Sequence, residues 1–341
     1  MEIERSDLAY ELFREELILC KVGADKTVAI LAPEGSMYER AQTFLHAARS
    51  LGARSYIVTV PWHTWGAGTT GSTTLGDYPE LMGALKSADL VVDLVKLLFS
   101  DVQLELQAAG CGVLMCVEPL AVLQRLFPTV ETRALVESEG RLLSAAKELS
   151  VVSDRGTDVR YQLGPYPVLM EYGYTDEPGR WDHWPGGFAL THARDDGVDG
   201  VVVLGPGDLL LLPVPRMIRD RVELHIEGGY ITHIVGDNLD ATYLRDFLRP
   251  ADDANDRDAY AVSHIGWGCN RAAKWSLWDI PGSLHQDARA YYGNVLFSTG
   301  PNREVGGSRT TPYHLDIPLR DCSVLLDGTL VVEQGRILGD A

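Results

Sequence analysis

The chain predicts an α/β domain over residues 1–150, built on a mostly parallel sheet, followed by an α+β domain over residues 151–341 with largely antiparallel strands. Three observations lead there. At 341 residues the chain passes the size at which one hydrophobic core keeps growing, so two domains are the default. In the first part, apolar strand-like runs alternate with helical patterns, the signature of a sheet covered on both faces. Later, short β-rich runs are separated by Gly-rich turns, which fits hairpins.

Taken in order, residues 7–22 carry Leu8, Leu12, Phe13, Leu17 and Leu19 as a helical stripe. Residues 27–31 read as a buried strand, 36–51 as a helix capped by Ser36, and 55–60 as a second strand. A loop rich in Gly and Thr, 62–77, leads to a helix over 78–86, and further strands follow at 90–94 and 112–117. The first strand runs into Ala32-Pro33-Glu34-Gly35-Ser36. Neither a Gly-x-Gly-x-x-Gly nor a Walker pattern is present there, so a nucleotide cofactor is not expected. Ligands of open sheets lie at the carboxyl ends of the strands, which makes Lys96 and Phe99 candidates to face a cleft. Phe99 also reads as a core residue.

In the second part, strands are expected at 201–204, 208–214, 221–226 and 230–235, with one helix over 239–247. The acidic run 252–258 reads as a solvated turn. Residues 171–185 hold two prolines and two glycines, which exclude regular structure, together with Tyr172, Tyr174, Trp181 and Trp184. A loop this aromatic must pack, either as a pocket for a flat ring or as an ordered closure of the domain boundary. His183 stands between the two tryptophans, where apolar surroundings keep an imidazole neutral and able to act as a base.

Composition narrows the classes. Apolar residues at 45% and charged residues at 23% are ordinary for a soluble globular chain. A net charge of -18 argues against nucleic acid and against anionic membrane surfaces as partners. No run reaches the roughly 18 apolar residues of a membrane span. Cys20, Cys111, Cys116, Cys269 and Cys322 are odd in number and widely spaced, and read as reduced core thiols of a cytoplasmic protein. Residues 1–7 have no basic or apolar leader, so export is not expected.

The chemistry concentrates in Thr311-Pro312-Tyr313-His314-Leu315-Asp316-Ile317-Pro318-Leu319 and in Val262-Ser263-His264-Ile265-Gly266-Trp267. On a strand alternate side chains share a face, so His314 and Asp316 point the same way, about 7 Å apart. If the strand bearing His264 is a neighbour, the three make two imidazoles and one carboxylate, the facial set of non-haem Fe(II) oxygenases. A His-x-Asp on a strand is also a common hydrogen-bonded edge pair, and spacing leaves both readings open.

Four longer strings, 171–188 (EYGYTDEPGRWDHWPGGF), 263–268 (SHIGWG), 287–307 (DARAYYGNVLFSTGPNREVGG) and 314–319 (HLDIPL), resemble the 2,5-dihydroxypyridine 5,6-dioxygenase family, ring-opening relatives of the aminopeptidase T (leucyl aminopeptidase) family. Weaker similarity runs through most of the chain. The resemblance implies a mononuclear Fe(2+) centre held by His264, His314 and Asp316 in the second domain. It also implies O2-dependent cleavage of the C5–C6 bond of a small hydroxypyridine to N-formylmaleamic acid, in nicotinate breakdown, and a homo-oligomer. The alternatives are the same chemistry on another hydroxylated N-heterocycle, or a two-metal aminopeptidase. The family comparison speaks against the peptidase, because apolar Leu296 stands where those relatives carry a histidine ligand and His264 where they carry a glutamate.

Within that frame His183 is expected to carry acid/base work, with the alternative that it only holds its loop. Phe99, Trp181, Trp184, Ser298 and Asn302 are expected to contact substrate, although turn chemistry explains Ser298, Thr299 and Asn302 as well. Asp208 is expected to be a turn residue. One departure stands out: the family carries a histidine in an LLHS string, and here the string is Leu97-Leu98-Phe99-Ser100. Phenylalanine stacks on a ring but moves no proton, which leaves that step to His183, to an oxygen on the metal, or to a different ring substrate.

Overall fold

The computed structural model describes residues 7–35, 37–60, 75, 78–98, 100–212, 214–276, 283 and 285–339. The expected helix cap Ser36, most of the loop 62–77, and Phe99 lie outside the described residues. The first part runs α1 (Asp7–Leu19), β1 (Thr27–Pro33), α2 (Tyr38–Ser50), β2 (Arg54–Val60), α3 (Pro79–Lys86), β3 (Leu90–Asp93), α4 (Asp101–Ala108), β4 (Gly112–Met115), α5 (Leu120–Arg125) and α6 (Val130–Ala145). Next come β5 (Glu148–Ser153), β6 (Asp158–Gln162), β7 (Leu169–Glu171), β8 (Trp181–His183), β9 (Phe188–His192), β10 (Val198–Leu204), β11 (Leu209–Leu210), β12 (Arg216–Met217), β13 (Val222–Glu227) and β14 (Tyr230–Val235). The chain closes with α7 (Leu239–Asp253), β15 (Val262–Gly268), α8 (Gln286–Ala290), β16 (Val295–Thr299), β17 (Leu315–Leu319), β18 (Cys322–Leu326), β19 (Thr329–Glu333) and β20 (Arg336–Ile337).

The first sheet has the order β2-β1-β3-β4-β8 and is parallel throughout. Its fifth strand is a departure from the sequence reading. Trp181–His183 follows three strands that belong elsewhere, yet pairs with Val113–Met115 of β4. A cut at residue 150 therefore does not separate the sheets cleanly, and the segment 171–185 is not wholly irregular. The reason is local: three strand residues between two turns are too few to show a period.

Two antiparallel sheets make up the rest, one of eight strands in the order β14-β13-β10-β6-β5-β18-β19-β20 and one of five in the order β17-β16-β15-β9-β7. Alternation along the strands of the smaller sheet sorts its side chains between two faces. Ile265, Trp267, Phe297 and Ile317 join Val151, Val159 and Val202 of the larger sheet in one core. The opposite face carries Phe188, Leu190 and Leu296 as an apolar patch and, in the same alternation, His264, Ser298 and Asp316. Strands β9 and β15 approach so closely that a Cβ on Gly266 would stand 2.1 Å from the Ala189 carbonyl oxygen.

Helix α1 docks on the first sheet through Phe13, which stacks on Phe44 at 4.1 Å, and through Leu17. Glu16 sits in the same buried stripe at 0% exposure, and neither carboxylate oxygen has a hydrogen-bond partner among the described residues. Burial, reinforced by Asp182, holds its pKa well above the ordinary value. A folded-state pKa raised in this way contributes stability below the unfolded value, and that contribution is lost as pH rises towards the folded one. Glu16→Met is therefore expected to stabilise the protein at neutral pH by about 1–3 kcal/mol, the cost of an unsatisfied buried group. Melting curves between pH 5 and 8 check this: the variant should gain most at the alkaline end.

Candidate functional site

His264 lies on β15 and Asp316 on β17, with β16 between them. The condition of neighbouring strands is not needed: the residues meet across an intervening strand. Two local features allow it. The register between β15 and β16 shifts between Val262 and Ile265, and an irregularity of this kind re-aims a side chain. The residue opposite Asp316 on β16 is Ser298, whose small side chain leaves room above the middle strand. Its hydroxyl donates to the His264 carbonyl oxygen at 2.7 Å, so Ser298 fixes the backbone that presents the imidazole.

The ligating atoms of His264, His314 and Asp316 lie within 4.8 Å of one another, and all three residues are buried. Asp316 Oδ1 is 3.3 Å from His264 Nε2 and 3.3 Å from His314 Nε2. Cis donors on an ion with bonds of about 2.0–2.2 Å stand about 3 Å apart, so the spacing fits a first-row metal. The tautomers fit as well. His314 Nδ1 is 2.6 Å from the Thr299 carbonyl oxygen; a carbonyl only accepts, so Nδ1 carries a proton and Nε2 is the nitrogen left to ligate.

The charges agree. Burial alone would raise the Asp316 pKa, yet His314 and His264 beside it hold the carboxyl well below its ordinary range, which keeps it anionic. Burial opposes a charge on His314, but Asp316 draws its pKa upward. On His264 burial prevails over Asp316 and lowers it. Two imidazoles and one carboxylate leave open positions on a six-coordinate ion and favour a first-row transition metal over hard cations such as Mg2+.

The carboxyl ends of the parallel sheet face this cluster. Lys96 follows β3 with φ +62°, held by Asp93, whose carboxylate accepts from the Val95 and Leu97 backbone N–H groups. Burial lowers the Lys96 pKa against the opposing pull of Asp316, Glu118 and Asp93. His183, at the end of β8, is fully buried, and burial followed by Arg289 and Lys96 keeps it neutral. Arg289 pairs with Glu171 in a buried contact, and its Nη2 lies 3.5 Å from His183 Nδ1. A guanidinium has no lone pair, so Nδ1 can only accept in that contact; Nε2 is buried without a hydrogen-bond partner among the described residues, and a backbone contact with Pro185 opposes the downward shift. The Arg289 guanidinium also lies 5.2 Å above the Phe188 ring, whose edge meets His264.

A cavity of about 310 Å³ is lined among others by Gln103, Gln107, Glu171, Arg180, Trp181 and Glu304, and of the groups above it reaches Glu171. Trp181 thus stands on a cavity wall, its ring parallel to His183 at 6.5 Å. Trp184 does not: it is 0% exposed and packs edge-on against Phe13 and Phe127. It is corrected to a core residue, because neighbouring residues on a strand point to opposite faces of the sheet. Asn302 is also corrected. Its amide donates to Tyr166 and Asp195 and accepts from the Arg309 backbone, so its polar atoms brace a turn. Asp208 accepts from Gly205 and Arg320 and pairs with Arg155, the arrangement of a turn residue.

Sequence reasoning missed Arg289, Glu171, His192 and Glu304. His192 stands opposite His264 in the β9–β15 ladder, and its place at the end of Phe188-Ala189-Leu190-Thr191-His192 was a usable signal, since alternation puts it on the face of Phe188 and Leu190. The isolated sequence offers no comparable signal for the other three.

Comparison with known proteins agrees with the geometry. Residues 8–339 match the family model of 2,5-dihydroxypyridine 5,6-dioxygenase, NicX. A curated 2,5-dihydroxypyridine 5,6-dioxygenase of Pseudomonas putida is 42% identical over 338 residues, which span 96% of this chain and 95% of that protein. The solved structure of 2,5-dihydroxypyridine dioxygenase from Pseudomonas putida superposes with a TM-score of 0.91 at 40% identity, covering 98% of both chains. Wild-type AmpT from Thermus thermophilus shares the fold at a TM-score of 0.59 and 14% identity, over 96% of this chain and 99% of that one. With a family match over almost its whole length and a relative this similar, the chain belongs to the 2,5-dihydroxypyridine 5,6-dioxygenase family.

Proposed function

We propose that this protein opens the ring of 2,5-dihydroxypyridine between C5 and C6 with O2, giving N-formylmaleamic acid, and that it does so with Fe(II) held by His264, His314 and Asp316. The observation that carries the reading is the buried convergence of two imidazoles on one carboxylate oxygen, in a chain 42% identical to a dioxygenase of that name. Fe(II), when bound, supplies open positions where ring and O2 exchange electrons.

The protein's own groups do the rest. Trp181 offers a flat wall of the cavity for the ring. His183, kept neutral by burial and by Arg289 beside it, donates a hydrogen bond from Nε2 to a ring oxygen and keeps that proton throughout. Buried surroundings exclude bulk water, so a proton on Nε2 is not lost to solvent. The peptidase alternative needs a second ion; Leu296 instead packs with Phe188 and Leu190, and an apolar side chain cannot ligate.

The test is anaerobic loading with Fe(II), then oxygen-electrode traces with 2,5-dihydroxypyridine and, in parallel, other hydroxypyridines and catechols. Uptake of one O2 per ring, with both atoms of 18O2 in the product, is expected. Uptake with a different ring alone would move the specificity. Peptide hydrolysis with two zinc or cobalt ions, and silence with every ring, would overturn the assignment.

A further inference from the structure

One buried acid beside the cavity has no part in the chemistry above. Glu304 lies on the short 3-10 turn Arg303–Val305 that follows β16, and its side chain is 4% exposed. Oε1 is 2.9 Å from His192 Nε2; apart from that contact and its own backbone N–H, neither oxygen has a hydrogen-bond partner among the described residues. Although burial opposes the charge, His192 holds the carboxyl below its ordinary range. His192 in turn meets His264 edge-on at 5.9 Å. Glu304 also lines the 310 Å³ cavity that Trp181 and Glu171 line, and only His192 stands between it and His264. A carboxylate oxygen left without a donor in a dry wall is costly, and the cost falls when a ligand supplies the donor.

The substrate class brings such a donor. A ring with a hydroxyl next to nitrogen exists largely as the lactam, which carries an N–H in the ring plane, whereas a carbocyclic diol of the same shape presents a C–H there. We propose that Glu304 is the specificity-determining acceptor for the ring N–H, its carboxylate oriented by His192. This rests on the hydroxypyridine reading above. A charged acceptor is the stronger partner for a buried N–H, and a site built for an N–H rejects the analogue that lacks it.

The measurement is anaerobic binding to the Fe(II)-loaded protein, followed by tryptophan fluorescence, with 2,5-dihydroxypyridine and with hydroquinone, its isostere without the N–H. Wild-type protein is expected to prefer the pyridine by about tenfold or more in Kd. Glu304→Ala should weaken the pyridine by a similar factor and leave hydroquinone unchanged, and Glu304→Gln, which keeps a neutral acceptor, should fall between. The kcat/KM for ring cleavage should follow the same order. Equal weakening of both ligands means that the pair with His192 only braces the turn, and overturns the proposal. So does a preference that survives Glu304→Ala. Wild-type protein that neither binds nor turns over 2,5-dihydroxypyridine is a different pattern: it removes the functional reading itself, and this inference with it.

Discussion

His314→Ala is expected to abolish Fe(II) retention and to cut ring cleavage by well over the ~10–100-fold that loss of an outer-shell partner of a metal ligand costs. His314 is the most constrained of the three donors. Its Nδ1 is fixed by the Thr299 carbonyl oxygen at 2.6 Å, which aims Nε2 at Asp316. Alanine removes that donor and leaves a hole where no other described residue supplies one. Ser298→Ala provides the contrast, because it deletes only the hydroxyl that holds the His264 backbone, and a loss within the ~10–100-fold range is expected. Iron content per chain and O2 uptake, measured on both variants, check the pair. Full iron and full activity in His314→Ala would remove it from the ligand set.

The centre was legible in part because a strand has a period of two. His314 and Asp316 are two apart, and nothing beyond that period is needed to put them on one face. The partner strand was not legible. Bringing His264 to them required Ser298 as a small residue on the strand between, and a register shift beside it, and pairing order is a property of the whole sheet. The parallel sheet was readable from its apolar runs over residues 27–31, 90–94 and 112–117. Its fifth strand, Trp181–His183, was not, since its hydrogen-bond partners lie almost seventy residues upstream. The same limit explains Trp184 and Asn302. Both stand in strings that match the family, but a string does not say which side of a strand faces the ligand and which faces the core.

Arg289→Met is expected to cause the largest loss of stability of any substitution considered. Arg289 and Glu171 are 7% and 4% exposed and form a direct ion pair. Removing one partner of such a pair leaves a buried charge uncompensated, which costs about 3–5 kcal/mol. Glu171 already shows the strain of its position: burial, against the pull of Arg289, pushes its pKa up to about 7. Because the folded value exceeds the ordinary 4.5, this carboxyl favours the fold below the ordinary value, and that support is lost as pH rises through about 7. Without Arg289 the pKa moves further up, so the deficit of Arg289→Met should widen from pH 6 to pH 8. Denaturant curves at both pH values read this directly. Arg289→Met combined with Glu171→Gln removes the orphaned charge and is expected to recover part of the loss; a double variant no more stable than the single one would show that the pair is not the cause. Activity separates the two roles of the guanidinium. Even where the double variant is folded, His183 Nδ1 no longer faces a fixed donor, so its proton is free to sit on either nitrogen. Ring cleavage should then stay depressed by about tenfold, the worth of one hydrogen bond to a charged group.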